Sequence, residues 1–310
     1  LSRAEADGAA QGGFRWQAVG DVLNLDPQRQ GQRPDLTFAG VGQTTPWVVW
    51  TESGADRASR VFAKRLVGNT WQAVGRQENC GTTEVTCALN HNGGQTAQMV
   101  HIAAGALPNE GAPTPWLVFA EAAAAVGSEI RVLRLDSGDV NDPNDDRFVP
   151  VGGAVNTQCL GNASMTGQNG VMPDIAFVGN VPHVAWIEQQ SGRGVLYVCH
   201  LADTRSGLER WDLVSVMGVN PDDMSATAPS LAANGTTPYV AWQANSTPSS
   251  VHVAHRAPAG PAWAVNFPAT LQVIAAARLT AAEVSALSAE LGEVLGVQSA
   301  AAGQTFLRSP

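Results

Sequence analysis

Tyrosine is nearly missing from this chain of 310 residues, which has only Tyr197 and Tyr239, and charge is sparse, with Asp, Glu, Lys and Arg making up 15%. So few charges argue against long solvent-facing helices, while 32 glycines and 18 prolines favour many short strands joined by turns. Basic residues are the scarcer sign: 18 Lys and Arg face 27 Asp and Glu, for a formal charge of −9, and no basic run occurs. Nucleic acid is held by clustered cations, so it is excluded as a partner, and an anionic membrane surface is disfavoured for the same reason. No stretch reaches the roughly 18–20 apolar residues that cross a bilayer as a helix, so no membrane span is expected.

Several chemical signatures are missing as well. The chain has no C-x2-C zinc spacing, no Gly-rich phosphate loop, no G-x-S-x-G elbow and no H-E-x-x-H helix. It has four cysteines, Cys80, Cys87, Cys159 and Cys199. An even count in a loop-rich chain fits two disulfides and a secreted, periplasmic or cell-surface location, with reduced buried thiols as the alternative. The first residue is Leu1, and residues 1–13 read as the flexible polar lead-in of a mature or trimmed chain.

What is present is repetition. PWVVWTE (46–52), PWLVFAE (115–121), PHVAWIE (182–188) and PYVAWQA (238–244) are one motif written four times, at spacings of 69, 67 and 56 residues. A related strand precedes each copy: PDLTFAG (34–40), QMVHIAAG (98–105), PDIAFVG (173–179) and PSLAANG (229–235). A third strand comes after it (60–66, 130–136, 196–202, 251–257), and then a fourth: TWQAVG (70–75), RFVPVG (147–152), RWDLVSV (210–216) and AWAVNF (262–267). The fourth-strand motif also occurs once without its companions, as RWQAVG at 15–20. Four short strands per unit, punctuated by Gly, Pro and Asn, make an all-β chain of β-propeller blades. The units span residues 14–267.

Ring closure pairs strands from the two chain ends, which removes open sheet edges. The orphan strand is therefore expected to complete a fifth blade with LQVIAA (271–276) and QTFLRS (304–309), with four blades plus a tail as the alternative. Within residues 268–310, the capping box Thr280-Ala-Ala-Glu283 and the stripe Val284, Leu287, Leu291, Leu295 predict a short C-terminal helix over about 281–295. Its apolar face packs on the propeller or mediates oligomer formation.

The pattern resembles the degenerate propeller repeats of secreted bacterial proteins, in the neighbourhood of sialidase-like and kelch-like blades. GNTW (68–71) is similar to the G-x-T-W half of the sialidase Asp-box, while Lys64 and Leu66 stand where that box has Ser and Asp. The resemblance implies architecture. Sialidase catalysis would also need a Tyr nucleophile and converging arginines, and Tyr197 and Tyr239 both fall within strands.

The repeat absorbs most residues that look chemically useful. All nine tryptophans fall on repeat positions and are expected to wedge blade against blade. A lectin-like reading rests on Trp47, Trp116, His183 and Tyr239, which share one position as candidate ligand-binding residues. His200 and His255 are aligned with Lys64 and Arg134, a position basic in every blade, and His252-x-x-His255 points to opposite faces of a strand. Glu52, Glu121 and Glu188 share another position, broken by Ala244, and are expected to be solvated or paired with basic neighbours. No catalytic residue is assigned. His101, on a first strand facing the channel, is a singleton.

Cys80 and Cys87 fall in a loop longer than its equivalents, so a Cys80–Cys87 bridge is expected to staple that insertion. Cys159–Cys199 is then expected to tie the loop after the second unit to the third strand of the next. The acidic loop 135–147 makes Asp136, Asp139, Asp142, Asn144 and Asp146 candidate ligands for a structural calcium ion, which takes six to eight oxygens. The functional expectation is an extracellular non-catalytic module that recognises a protein or glycan partner through propeller loops. A sialidase-like glycan hydrolase and a metal- or small-molecule-binding propeller are the alternatives.

Overall fold

The computed structural model describes residues 2–6, 14–54, 56–78, 80, 84–123, 127–137, 145–161, 169–214, 218–256 and 263–265. The candidate strands 271–276 and 304–309, the helix 281–295 with its oligomer contact, and Asp139, Asp142 and Asn144 lie outside these residues.

Four antiparallel sheets of four strands succeed one another along the chain, each wound so that consecutive strands are neighbours. The first blade comprises β3 (Gly31–Ala39), β4 (Thr45–Ser53), β5 (Ser59–Val67) and β6 (Thr70–Ala73). The second comprises β7 (Ala97–Gly105), β8 (Thr114–Ala122), β9 (Ser128–Asp136) and β10 (Arg147–Pro150). The third comprises β11 (Gly170–Val178), β12 (Val181–Gln190), β13 (Arg193–Asp203) and β14 (Arg210–Leu213). The fourth comprises β15 (Ala226–Asn234), β16 (Thr237–Ala244), β17 (Ser250–Arg256) and β18 (Trp263–Val265). Ahead of them β1 (Ser2–Ala6) pairs antiparallel with β2 (Phe14–Ala18). The orphan strand thus finds its neighbour inside the segment expected to be a loose lead-in.

First strands contact one another in order, β3 with β7, β7 with β11 and β11 with β15, so they line a common axis and the fourth strands lie outermost. That is the blade arrangement of a propeller. The second strands of the first three blades are apolar on both faces because neighbouring material covers both. The alternation of a half-buried strand is absent there: Trp116, Leu117, Val118, Phe119 and Ala120 are all buried.

Tryptophans join blades as expected. Trp47 meets Phe148 edge-on at 5.9 Å and Trp116 meets Phe177 at 5.6 Å, each across a blade boundary. Gly105 is required by the second contact, since a Cβ there would lie 2.2 Å from the Phe177 ring. On the outer strands, the Trp211 indole donates to the Val151 carbonyl of the preceding blade at 3.0 Å. The Trp71 indole donates in the same way to Val19, just beyond β2, at 2.9 Å.

Both expected disulfides are present. Cys80–Cys87 closes the inserted loop, whose short helix α1 (Glu84–Cys87) ends on the second cysteine. Cys159–Cys199 ties the helix α2 (Val155–Leu160) after the second blade to β13 of the third. Among the described residues no helix is long and apolar enough to cross a membrane.

Candidate functional site on the inner strands

The glutamate ring is a set of structural staples, which corrects the expectation of solvation or ion pairing. Glu52, Glu121 and Glu188 are buried. Glu52 accepts from the N–H groups of Leu25 and Asp26, at 3.1 and 3.0 Å, and Glu121 from those of His91 and Asn92, at 3.2 and 2.9 Å. Glu188 accepts from Asn169 N–H and Asn156 Nδ2. The indoles of Trp50 and Trp186 donate to Glu52 and Glu188, both at 3.0 Å. Each carboxylate thus holds the loop arriving from the preceding outer strand. Burial pushes Glu121 and Glu188 above the usual carboxylate range, against the pull of these donors. Asparagines clip the later loops to the third strand of the blade each loop leaves: Asn90 and Asn156, in the loops held by Glu121 and Glu188, accept through Oδ1 from Val61 and Ile130 N–H, and Asn220, in the loop without a glutamate, accepts from Leu196 N–H.

The candidate ligand-binding position is also packing. Trp47, Trp116 and His183 are buried and Tyr239 is half-buried. Each faces a cross-strand partner: Arg65 over Trp47 at 5.6 Å, Arg134 over Trp116 at 5.9 Å, His200 on His183 at 5.6 Å and His255 on Tyr239 at 5.4 Å. The basic position of the first blade is therefore Arg65, one residue beyond the Lys64 expected from the repeat, because Trp47 pairs with Arg65 and Val48 with Lys64. His252 and His255 part company as expected, His252 stacking on Trp242 at 5.4 Å.

In the acidic loop, the described members of the calcium set meet arginines. Buried Asp146 pairs with Arg65 of the first blade, and Asp136 lies 3.3 Å from Arg147, which also reaches Glu78 at 2.9 Å. Among the described residues no group of His, Cys, Asp and Glu is arranged to hold a metal ion.

The convergent polar group lies instead on the first strands. Every first strand has a bulge where the register slips, between Gln32 and Asp35, Gln98 and His101, Val171 and Asp174, and Thr227 and Ser230. Each bulge contains a non-glycine residue with positive φ: Arg33 at 51°, Met99 at 55°, Met172 at 52° and Ala228 at 47°. A left-handed residue in a bulge turns the strand and re-aims the side chains beyond it. The re-aimed residue that ends each bulge is Asp35, His101, Asp174 or Ser230, one per blade.

The first three of these residues meet across blades. His101 Nδ1 lies 3.3 Å from Asp35 Oδ2 and 3.8 Å from Asp174 Oδ1. Asp35 accepts from Ile102 N–H of the second blade at 3.0 Å, and Asp174 from Leu231 N–H of the fourth at 2.6 Å. The hydrogen bond to Asp35 raises the His101 pKa against its partial burial, and the charge of Asp174 adds to the rise. Burial would raise Asp35, but His101 and two backbone N–H groups outweigh it and hold it below the usual range. Burial dominates at Asp174, which is raised despite its donors. His101 and Asp35 keep 45% and 34% of their side-chain surface open, so the group is reachable from solvent. Sequence reasoning singled out His101 but missed the two aspartates, whose only signal was the P-D-[LI] shared by two first strands.

No family model and no curated protein matches the chain. Solved structures do resemble it. Hadza microbial sialidase Hz136 is 10% identical with a TM-score of 0.48, over 77% of this chain and 46% of that one. Penicillium chrysogenum alpha-L-arabinanase is 12% identical with a TM-score of 0.48, over 76% and 65%. Trypanosoma rangeli sialidase is 11% identical with a TM-score of 0.45, over 85% and 40%. The chain thus spans less than half the length of the two sialidases. The blade assignment itself stands on the repeated sheets, bulges and staples of this chain.

Proposed function

We propose that this chain is an extracellular binding module that takes a glycan at the axial group Asp35, His101 and Asp174. The observation that carries the reading is the convergence of two carboxylates and an imidazole on bulged inner strands, at positions the repeat itself does not need to fill alike. Carboxylate oxygens that already accept backbone N–H groups keep lone pairs for sugar hydroxyls, and a half-open imidazole supplies a donor. Two disulfides fit an oxidising, extracellular setting. Calorimetry against a panel of soluble oligosaccharides tests this. His101→Ala should weaken binding by roughly 10-fold or more, the worth of a hydrogen bond involving charge. Failure of every glycan to bind, or unaltered binding by His101→Ala, would overturn it.

A second reading, glycan hydrolysis, is favoured by one observation. Asp35 is held low and Asp174 is pushed high although both reach the same imidazole, and two carboxylates of unlike proton affinity are what an acid–base pair requires. Asp174 would then protonate the glycosidic oxygen while Asp35 activates water. Hydrolysis of an unactivated oligosaccharide that is lost in Asp174→Asn, with binding retained, would favour the hydrolase over the binding module.

A further inference from the structure

Among the described residues, the four blades leave two sheet faces uncovered, one at each end of the series. Val61, Ile130 and Leu196 occupy one repeat position on successive third strands and are 0% exposed, whereas Val251 at that position in the fourth blade is 77% exposed. Val253 is 42% exposed where Ala63, Val132 and Val198 are buried. At the other end Leu36 is 39% exposed, against 6%, 4% and 7% for its equivalents Ile102, Ile175 and Leu231. Phe38, equivalent to the Phe177 that packs on Trp116, is 47% exposed.

Ahead of the first blade stands half a blade. In β1 and β2 the pairs Arg3↔Gln17 and Ala4↔Trp16 repeat the register of Arg65↔Gln72 and Leu66↔Trp71 in the third and fourth strands of the first blade. The half-blade is also joined to its successor as blades are, through the Trp71 indole on Val19 and through Glu52 on Leu25 and Asp26. Among the described residues it has no first or second strand, the two elements that would cover Leu36, Phe38, Val251 and Val253.

We propose that residues 271–276 and 304–309 are those strands, so that residues 266–310 complete a fifth blade whose third and fourth strands are β1 and β2. The segment has the right character. It is 45 residues long with five charges, Arg278, Glu283, Glu290, Glu293 and Arg308, and Ile274-Ala275-Ala276 repeats the Ile102-Ala103-Ala104 of a first strand. Closure seals both open faces and removes the free sheet edges.

The test uses the full chain. Val251→Asp and Ile274→Asp are made singly and together, with Val41→Asp, 86% exposed, as the control. Light scattering gives the mass and thermal unfolding the Tm. A charge forced into a sealed apolar contact should lower Tm by about 5 °C for each single variant, with no change in the control. The double variant should lose far less than the sum, because both changes break one contact. The proposal fails if Val251→Asp is as silent as Val41→Asp. Strictly additive losses would remove residues 271–276 from that face. A dimer that Val251→Asp dissociates would assign the face to a second copy instead.

Discussion

Pro221 and Ala244 are a matched pair. In the first and second blades the residue after the repeat asparagine, Leu25 or His91, donates its N–H to a buried glutamate, Glu52 or Glu121. Proline has no N–H to donate. Where Pro221 succeeds Asn220, the glutamate is replaced by Ala244, which is fully buried. Trp242, two residues before it, has an indole N–H with no acceptor among the described residues, whereas Trp50 and Trp186 have Glu52 and Glu188.

The staples are therefore expected to control stability and leave ligand binding alone. Glu121→Ala orphans two backbone donors and should cost about 2–4 kcal/mol in denaturant unfolding. Ala244→Glu buries a carboxylate where Pro221 offers no donor, and should destabilise by about 2 kcal/mol or more. Equal stability of either variant to the parent would contradict the staple.

Acidification should act through His183. Burial holds its pKa down at about 4, and His200 beside it is lowered for the same reason. A histidine depressed in the folded state contributes stability above the ordinary value of 6.5 and loses it as pH falls from 6.5 towards 4. His183→Tyr, the residue found at the equivalent Tyr239, should flatten this slope in Tm measured across that window. His101 contributes in the opposite sense: its raised pKa stabilises below pH 6.5, and that share fades as pH rises through the shifted value.

The two disulfides should differ in weight. Cys159–Cys199 closes a separation of 40 residues and Cys80–Cys87 one of 7. Loop-closure entropy gives about 4 kcal/mol for the long ring and about 2.5 kcal/mol for the short one. Paired Cys→Ser variants compared in urea should keep that order.

Asp146 is expected to matter as the partner of Arg65. Asp146→Ala removes a buried carboxylate and leaves the largely covered Arg65 guanidinium without it between two blades, and should cost about 3 kcal/mol. With Asp136 and Asp146 both facing arginines, millimolar calcium and then EDTA should leave the Tm within about 1 °C. A rise with calcium that EDTA reverses would restore the cation site.

The sequence by itself determined the blades. Strand-length motifs recurring four times, the tryptophans within them and the two cysteine pairings were all legible, because each depends on local pattern or on loop length. Tertiary structure decided everything that depends on which blade touches which. The glutamates looked like solvated charges until the folded chain brought loop N–H groups from a preceding blade onto them. The cross-blade partners of the shared aromatic position, Phe148 on Trp47 and Phe177 on Trp116, were set only by the folded chain. Asp35, His101 and Asp174 lie far apart in the chain and became one group only because of the bulge in every first strand. There a left-handed residue turns the next side chains towards a shared axis. Backbone bulges of that kind have no side-chain signature when the residue within them is Arg, Met or Ala.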